Sequence, residues 1–237
     1  MASSFTKYLL SALVALVFGF AGAAAWSYSG FADDRTRAYM MENPEILEEL
    51  FVALQEKQGR ERLAQLGGEV YEPFPGAVMG NPNGTKVLVE FTDYNCGYCE
   101  ASVPDVTRLI AEDPDLKVIL RELPQFQGSE GAARMALAAA LQGKYPEFHD
   151  AMFKMGPANS ETAEIVARNI GMDLERARVD AASNAVTTEL ARNTSIAQSL
   201  GFGGTPGWIA GDTTINGYVG YDRMKETLAE AGPPLGS

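Results

Sequence analysis

The chain has 237 residues, 46% of them hydrophobic and 21% charged, which suits a globular body with a real core and excludes a disordered or fibrous chain. A net charge of −12 argues against a surface that tracks phosphates, so nucleic acid is not an expected partner. Two cysteines exclude a disulfide-rich scaffold and a self-contained four-cysteine zinc site, and the single histidine, His149, excludes any intrachain site that needs two.

The chain opens on a targeting pattern. Lys7 is positive, Leu9 to Phe20 is apolar, and Ala23-Ala24-Ala25 fits a small-residue cleavage site, so residues 1–25 read as a secretory signal peptide. The second reading is an uncleaved anchor over residues 8–28, because no charge occurs from Tyr8 to Ala32 and Trp26 and Tyr28 suit a membrane interface. Both readings place the body outside the cytoplasm.

Residues 26–66 form the next stretch, with helix expected over 31–66. Asn43 is a candidate cap, Pro44 suits a first helical position, and Glu45 and Glu48 complement a helix N-terminus. Ile46, Leu47, Leu50, Phe51 and Leu54 then make an apolar stripe at helical spacing. That stripe packs either on its own domain or against other chains as an oligomerisation arm. Residues 67–84 are rich in glycine and proline and read as a linker or a wrapped loop.

From Thr85 the pattern is strand, helix, strand. Val87, Leu88, Val89 and Phe91 predict a buried strand, residues 97–112 a helix, and Lys117 to Glu122 a second strand, an order that argues for parallel pairing. Residues 129–200 carry four or five helices and no strand signal. Trp208 to Ala210 and Thr214 to Val219 predict two short strands, and a final helix presents Tyr221, Met224 and Leu228 on one side.

The chemistry is concentrated at Cys96-Gly97-Tyr98-Cys99, where the first strand gives way to a helix. A thiolate at a helix N-terminus is favoured by the open backbone N–H groups and the positive end of the dipole, and the thiolate is the nucleophile. Cys96 is therefore the attacking sulfur and Cys99, one turn on, the resolving one. A structural disulfide and a copper(I) dithiolate, which needs only two sulfurs, are the rival readings.

The stretch from Gly80-Asn81-Pro82 through Cys99 resembles the bacterial exported thiol–disulfide oxidoreductases of the DsbA-like class in the thioredoxin superfamily. Pro104 in the following helix, Gly204-Thr205-Pro206, and Phe148-His149-Asp150-Ala151-Met152-Phe153 carry the resemblance further, over roughly residues 78–230. The arm resembles that of the ScsC-type branch (suppressor of copper sensitivity proteins), in which such arms support trimers.

The resemblance implies an α/β thioredoxin fold over residues 85–237, with a helical insertion at about 125–190 and an N-terminal helical arm. It implies a cis Pro206 that holds Thr205 beside Cys96, with Thr205, Pro206 and Tyr98 facing the substrate. It implies a buried acid at Glu90, six residues before Cys96, as the base for Cys99. His149 reads as a helix-packing residue. No cofactor or metal is expected.

The Gly97-Tyr98 pair supplies no cation to the thiolate, and Gly-Tyr is also the pair of the DsbC-type isomerases. Isomerase or reductase activity is therefore favoured over dithiol oxidation. The expected partners are cysteine-containing exported proteins, a membrane redox protein and further copies of the chain, in the periplasm. A holdase chaperone and a copper-binding protein are the alternatives of another class.

Overall fold

The structure, a computed structural model, describes residues 2–28 and 30–232. The side chain of Lys7, read above as the positive start of a leader, lies outside the described residues, as do positions 233–237 of the expected thioredoxin-like domain. The chain forms two compact units that divide between Gln55 and Glu56.

The first unit is helical. Helix α1 (Ala2–Tyr28) contains Leu10–Tyr28, the one segment among the described residues long and apolar enough to cross a bilayer, a property a signal sequence shares. The helix expected over 31–66 is two, α2 (Phe31–Glu42) and α3 (Glu45–Leu66), which part at the Asn43-Pro44 pair. The break has a local cause. Pro44 has no N–H to give and pushes the residue before it out of the helical region, and Asn43 sits at φ −128°, ψ 67°. Asn43 does not cap the second helix as expected; its Nδ2 donates to the Tyr39 carbonyl at 2.8 Å and closes the first. Leu47, Leu50, Phe51 and Leu54 of the stripe are exposed.

The division falls inside α3, so the last three turns of the expected arm belong to the second unit. Leu63 is fully buried there, and Arg62 donates to the Leu200 carbonyl at 3.2 Å. Gly59 allows this close approach, because a Cβ at that position would meet the Thr214 hydroxyl at 2.2 Å.

Residues 67–84 are a packed part of this unit rather than a free linker. A 3₁₀ turn (Gly67–Tyr71) leads through buried Val70, Phe74 and Ala77 to strand β1 (Val78–Gly80). Arg121 fixes the segment: its buried guanidinium donates to the carbonyls of Glu69, Val70 and Glu72 at 2.9 Å and to Asn193 and Glu189 at 2.8 and 3.2 Å.

The sheet has five strands in the order β1-β3-β2-β4-β5, one more than the sequence suggested. Strands β2 (Lys86–Thr92) and β3 (Leu116–Glu122) pair in parallel across helix α4 (Gly97–Glu112). Strands β4 (Gly207–Ala210) and β5 (Thr213–Asn216) add antiparallel on the far side of β2, which makes β2 the central strand. Five helices, α5 (Ser129–Leu141), α6 (Tyr145–Met155), α7 (Ser160–Asn169), α8 (Leu174–Ala181) and α9 (Asn184–Leu200), stand between β3 and β4, and α10 (Tyr221–Glu230) closes the fold. This is a thioredoxin-like α/β fold with a helical insertion.

Alternation along the strands separates two cores. Leu88, Val118 and Leu120 pack with Cys99, Val106, Leu109 and the insertion helices. Val87, Val89, Phe91 and Ile119 turn the other way, toward Leu63, Val70, Ile196 and Leu200. Glu90, Thr92 and Glu122 therefore share the face that carries the two cysteines.

Candidate active site

Cys96 is the N-cap of α4, with extended backbone (φ −89°, ψ 115°), and its carbonyl accepts the first helical bond from the Glu100 amide. Its side chain does not cap the helix. The thiol donates instead to the Thr205 carbonyl at 3.1 Å, across 109 residues of sequence. Both cysteines are free thiols; Cys96 is 4% exposed and Cys99 is fully buried one turn on. Tyr98 between them stands 67% exposed. Pro104 lies inside α4 as expected.

The Thr205–Pro206 peptide is cis, and the loop is held from below by the Gly217 amide, which donates to the Pro206 carbonyl at 2.8 Å. Thr205, Pro206, Cys96 and Cys99 thus meet in one place, although α5 to α9 separate them in sequence. Tyr98 flanks them on the outer side of the first turn.

Glu90 is 2% exposed on the central strand, opposite Trp208 of β4 and Leu120 of β3. Among the described residues its carboxyl has one hydrogen-bonding neighbour, the Ser102 hydroxyl of α4 at 3.4 Å, and that hydroxyl also donates to the Cys99 carbonyl at 2.7 Å. Burial pushes the Glu90 carboxyl up to about 8; the Ser102 hydroxyl opposes this, and the nearby Glu122 and Cys96 add to it. The Cys99 thiol is raised above its ordinary value by burial first and by Glu90 second. A raised thiol beside a raised carboxyl is a pair between which a proton can pass.

The loop before Cys96 holds two residues that the sequence alone did not single out. Asp93 accepts from the amides of Asn95, Gln125 and Phe126 at 2.8, 2.6 and 3.0 Å and from the Ser129 hydroxyl. Asn95 donates to the carbonyls of Gln127 and Ala158 and to the Ser129 hydroxyl, and accepts from the Ala158 amide. The two side chains pin the cysteine loop to both the start of the insertion and the turn after α6. Their sequence signal was two short polar side chains in the strand-to-helix loop, where such residues bind backbone groups.

Glu122, at the end of β3, was also missed. It is fully buried, and its Oε1 accepts from the hydroxyls of Tyr145 at 2.6 Å and Tyr94 at 3.0 Å. His149 stands 3.3 Å from the Tyr94 hydroxyl through Nδ1, among Tyr94, Tyr145 and Phe153, as a packing residue would. Burial holds its imidazole down at about 4, hence neutral. Among the described residues no cluster of three or more His, Cys, Asp or Glu forms a metal site.

Residues 87–229 match the family model of the DsbA-like thioredoxin domain. The chain belongs to the DsbA-like thioredoxin family. Among solved structures it is similar to a thioredoxin-like oxidoreductase from Silicibacter pomeroyi, at 37% identity and a TM-score of 0.64, over 68% of this chain and 94% of that one. It is also similar to ScsC from Proteus mirabilis in a transitional conformation, at 28% identity and a TM-score of 0.64, over 83% of this chain and 94% of that one. A curated relative, the Na(+)/H(+) antiporter NhaA of Herminiimonas arsenicoxydans, is 30% identical over 152 residues, 63% of this chain. The chain spans about a quarter of the length of the curated relatives it matches, all of them antiporters. Membership of this family and the oxidoreductase neighbours support thiol–disulfide exchange as the chemistry of the DsbA-like domain.

Proposed function

We propose that the protein is an exported thiol–disulfide oxidoreductase that works on client proteins as a disulfide isomerase or reductase. The observation that carries this reading is the Cys96 thiol at the N-cap of α4, 3.1 Å from the Thr205 carbonyl. It supports a role for Cys96 as nucleophile beside a backbone edge to which an extended client segment can add.

Cys96 as thiolate attacks one sulfur of a client disulfide; the other client sulfur leaves with the bonding pair and takes up a proton. The mixed disulfide has two fates. A second client thiolate can displace Cys96, which reshuffles the client with no net change of oxidation. Otherwise Cys99 gives its proton to the Glu90 carboxylate and attacks the Cys96 sulfur. The client then leaves with two thiols, and Cys96 and Cys99 are joined. In this reading Tyr98, Thr205 and Pro206 face the client, and a membrane redox protein restores the dithiol.

Three further points support isomerase or reductase work in the periplasm. The Gly97-Tyr98 pair brings no cation to the Cys96 thiolate, which leaves the dithiol form less favoured than in a strong oxidant. Leu47, Leu50, Phe51 and Leu54 are exposed on the arm and suit assembly of two or more copies, a trimer in the ScsC-type pattern, around one client. The apolar helix Leu10–Tyr28 suits an export signal or anchor.

The test is repair of scrambled ribonuclease and reduction of insulin by the full chain and by a chain starting at Glu56, with the mass of each in solution. The expected outcome is repair by the full chain as an oligomer, and insulin reduction with poor repair by the shortened monomer. Efficient oxidation of reduced ribonuclease with no repair would overturn the assignment of direction.

A further inference from the structure

The carboxyls of Glu90 and Glu122 are both buried on the sheet face that carries the dithiol, and the exchange chemistry uses only Glu90. Glu90 and Glu122 sit on the parallel strands β2 and β3, which pair Glu90 with Leu120 and Thr92 with Glu122. The alternation of the strands puts both carboxyls on the face that carries Cys99. They are diagonal neighbours in a buried layer.

Their surroundings differ in one respect. Glu122 receives two hydroxyl donors, Tyr145 at 2.6 Å and Tyr94 at 3.0 Å. Glu90 receives one, Ser102, at 3.4 Å. Donors favour the charged form of a carboxyl, so the first negative charge admitted to this layer falls on Glu122. The other groups facing Glu122 do not offset that charge. They are Asp93 and Tyr94 of the loop, Glu90 of β2 and Tyr145 of α6; the neutral His149 of α6 stands behind Tyr94, and the cysteines of α4 lie against Glu90. Arg121, adjacent in sequence, turns to the opposite face and is occupied by Glu189 and Asn193.

We propose that Glu122 is a positioning residue for thiol–disulfide exchange: with Tyr94 and Tyr145 donating to it, it takes the first negative charge of the pair and so sets the pH at which Glu90 can accept the Cys99 proton. This rests on the reading of Glu90 as the base for Cys99. Two like charges in one dry layer cannot form independently, so ionisation of Glu122 delays that of Glu90. Burial of both carboxyls, each pushed up to about 8, puts this competition near neutral pH.

The step to follow is resolution. The full-length dithiol protein is mixed with dithiobis(nitrobenzoate); the Cys96 thiolate attacks its disulfide, one nitrothiobenzoate leaves as the thiolate in a first phase, and the other stays on Cys96 as the mixed disulfide whose release is the second phase. Cys99 then loses its proton to Glu90 and bonds to Cys96, and the coloured thiolate leaves with the electron pair. Its rate against pH gives an acid limb at the ionisation of Glu90.

Glu122→Gln is expected to move that limb down by about 0.5 to 1 pH unit, which is a roughly 3- to 10-fold faster resolution below the limb. Tyr145→Phe removes one donor, delays the Glu122 charge and moves the limb the same way by less. It carries the test if Glu122→Gln fails to fold. Glu90→Gln is expected to abolish the limb, and Glu122→Gln in that background to change nothing further. A limb lost in Glu90→Gln yet unmoved in Glu122→Gln and Tyr145→Phe, or a uniform loss of rate without a shift, overturns this inference alone. A limb that survives Glu90→Gln overturns the reading of Glu90 as base, and this inference with it.

Discussion

Asn95 and Ala158 hold each other reciprocally: the Ala158 amide donates to Asn95 Oδ1 at 2.8 Å, and Asn95 Nδ2 donates to the Ala158 carbonyl at 2.8 Å. The residue just before the nucleophile is thereby tied to the turn that follows α6, 63 positions away. The insertion is thus a wall of the site as well as a decoration of the fold. Asn95→Ala should cost about 1 to 3 kcal/mol, because it leaves buried backbone groups without partners. Hydrogen exchange should quicken at Gln127 to Ser129 and at Ala158 more than in β2; uniform protection loss would show that the contact is not a local tie.

The two sulfurs should separate cleanly by substitution. Cys96→Ser is expected to abolish exchange, and Cys99→Ser to accumulate mixed disulfides with clients, seen as ladders on a non-reducing gel. Faster alkylation of Cys99 than of Cys96 would reverse the assignment, an outcome that the full burial of Cys99 argues against.

Stability should depend on pH with a definite sign. Glu90 and Glu122 have folded-state values raised to about 8, so the native chain holds more protons than the unfolded one from the ordinary carboxyl range up to that point. Their contribution is present at low pH and is lost as pH rises toward 8. His149, held down at about 4, acts the other way, and its contribution is lost as pH falls from about 6.5 to 4. Above pH 6.5 only the carboxyls remain, so the Tm should fall between pH 6.5 and 8, and Glu122→Gln should flatten that fall. A Tm rising across this window would contradict the burial of the pair.

Two leucines divide the arm. Leu63 is fully buried in the second core, and Leu63→Ala should cost about 2 to 5 kcal/mol in any oligomeric state. Leu50 is 53% exposed, and Leu50→Ala should leave the unfolding of an isolated chain within about 0.5 kcal/mol. If the stripe is an assembly surface, light scattering of Leu50→Ala at micromolar concentration should show a lower mass than the full chain. An unchanged mass, combined with an unchanged Tm, would remove Leu50 from any interface.

Most strand and helix elements from residue 86 onward were readable in the sequence because each has a strong local signal; the strand expected over Thr214–Val219 is shorter, Thr213–Asn216, and stops at Gly217. The run Val87-Leu88-Val89 is β2, and the helix expected over 97–112 is α4 to the residue. The cysteine pair and its position at a strand-to-helix junction were equally plain. What could not be read was long-range. Val78–Gly80 is too short to show alternation and is a strand only because β3 pairs with it. Glu122 looked like the polar end of a strand; only the arrival of Tyr94 from the loop and Tyr145 from α6 makes it a buried acid. The α3 helix reads as one amphipathic piece, and nothing local marks where its side chains pass from exposed Leu54 to buried Leu63.

The buried guanidinium of Arg121 has a consequence for how far the chain can be trimmed. Its donors reach three carbonyls between Glu69 and Glu72, a stretch that contributes no strand to the sheet. An exopeptidase digesting from the N-terminus would meet a thermodynamic barrier there, since removing those carbonyls leaves buried guanidinium N–H groups without acceptors at a cost of about 1 to 3 kcal/mol. The protease-resistant body therefore begins before Glu69, well upstream of the first strand, and Arg121 is one of the residues that hold its N-terminal part in place.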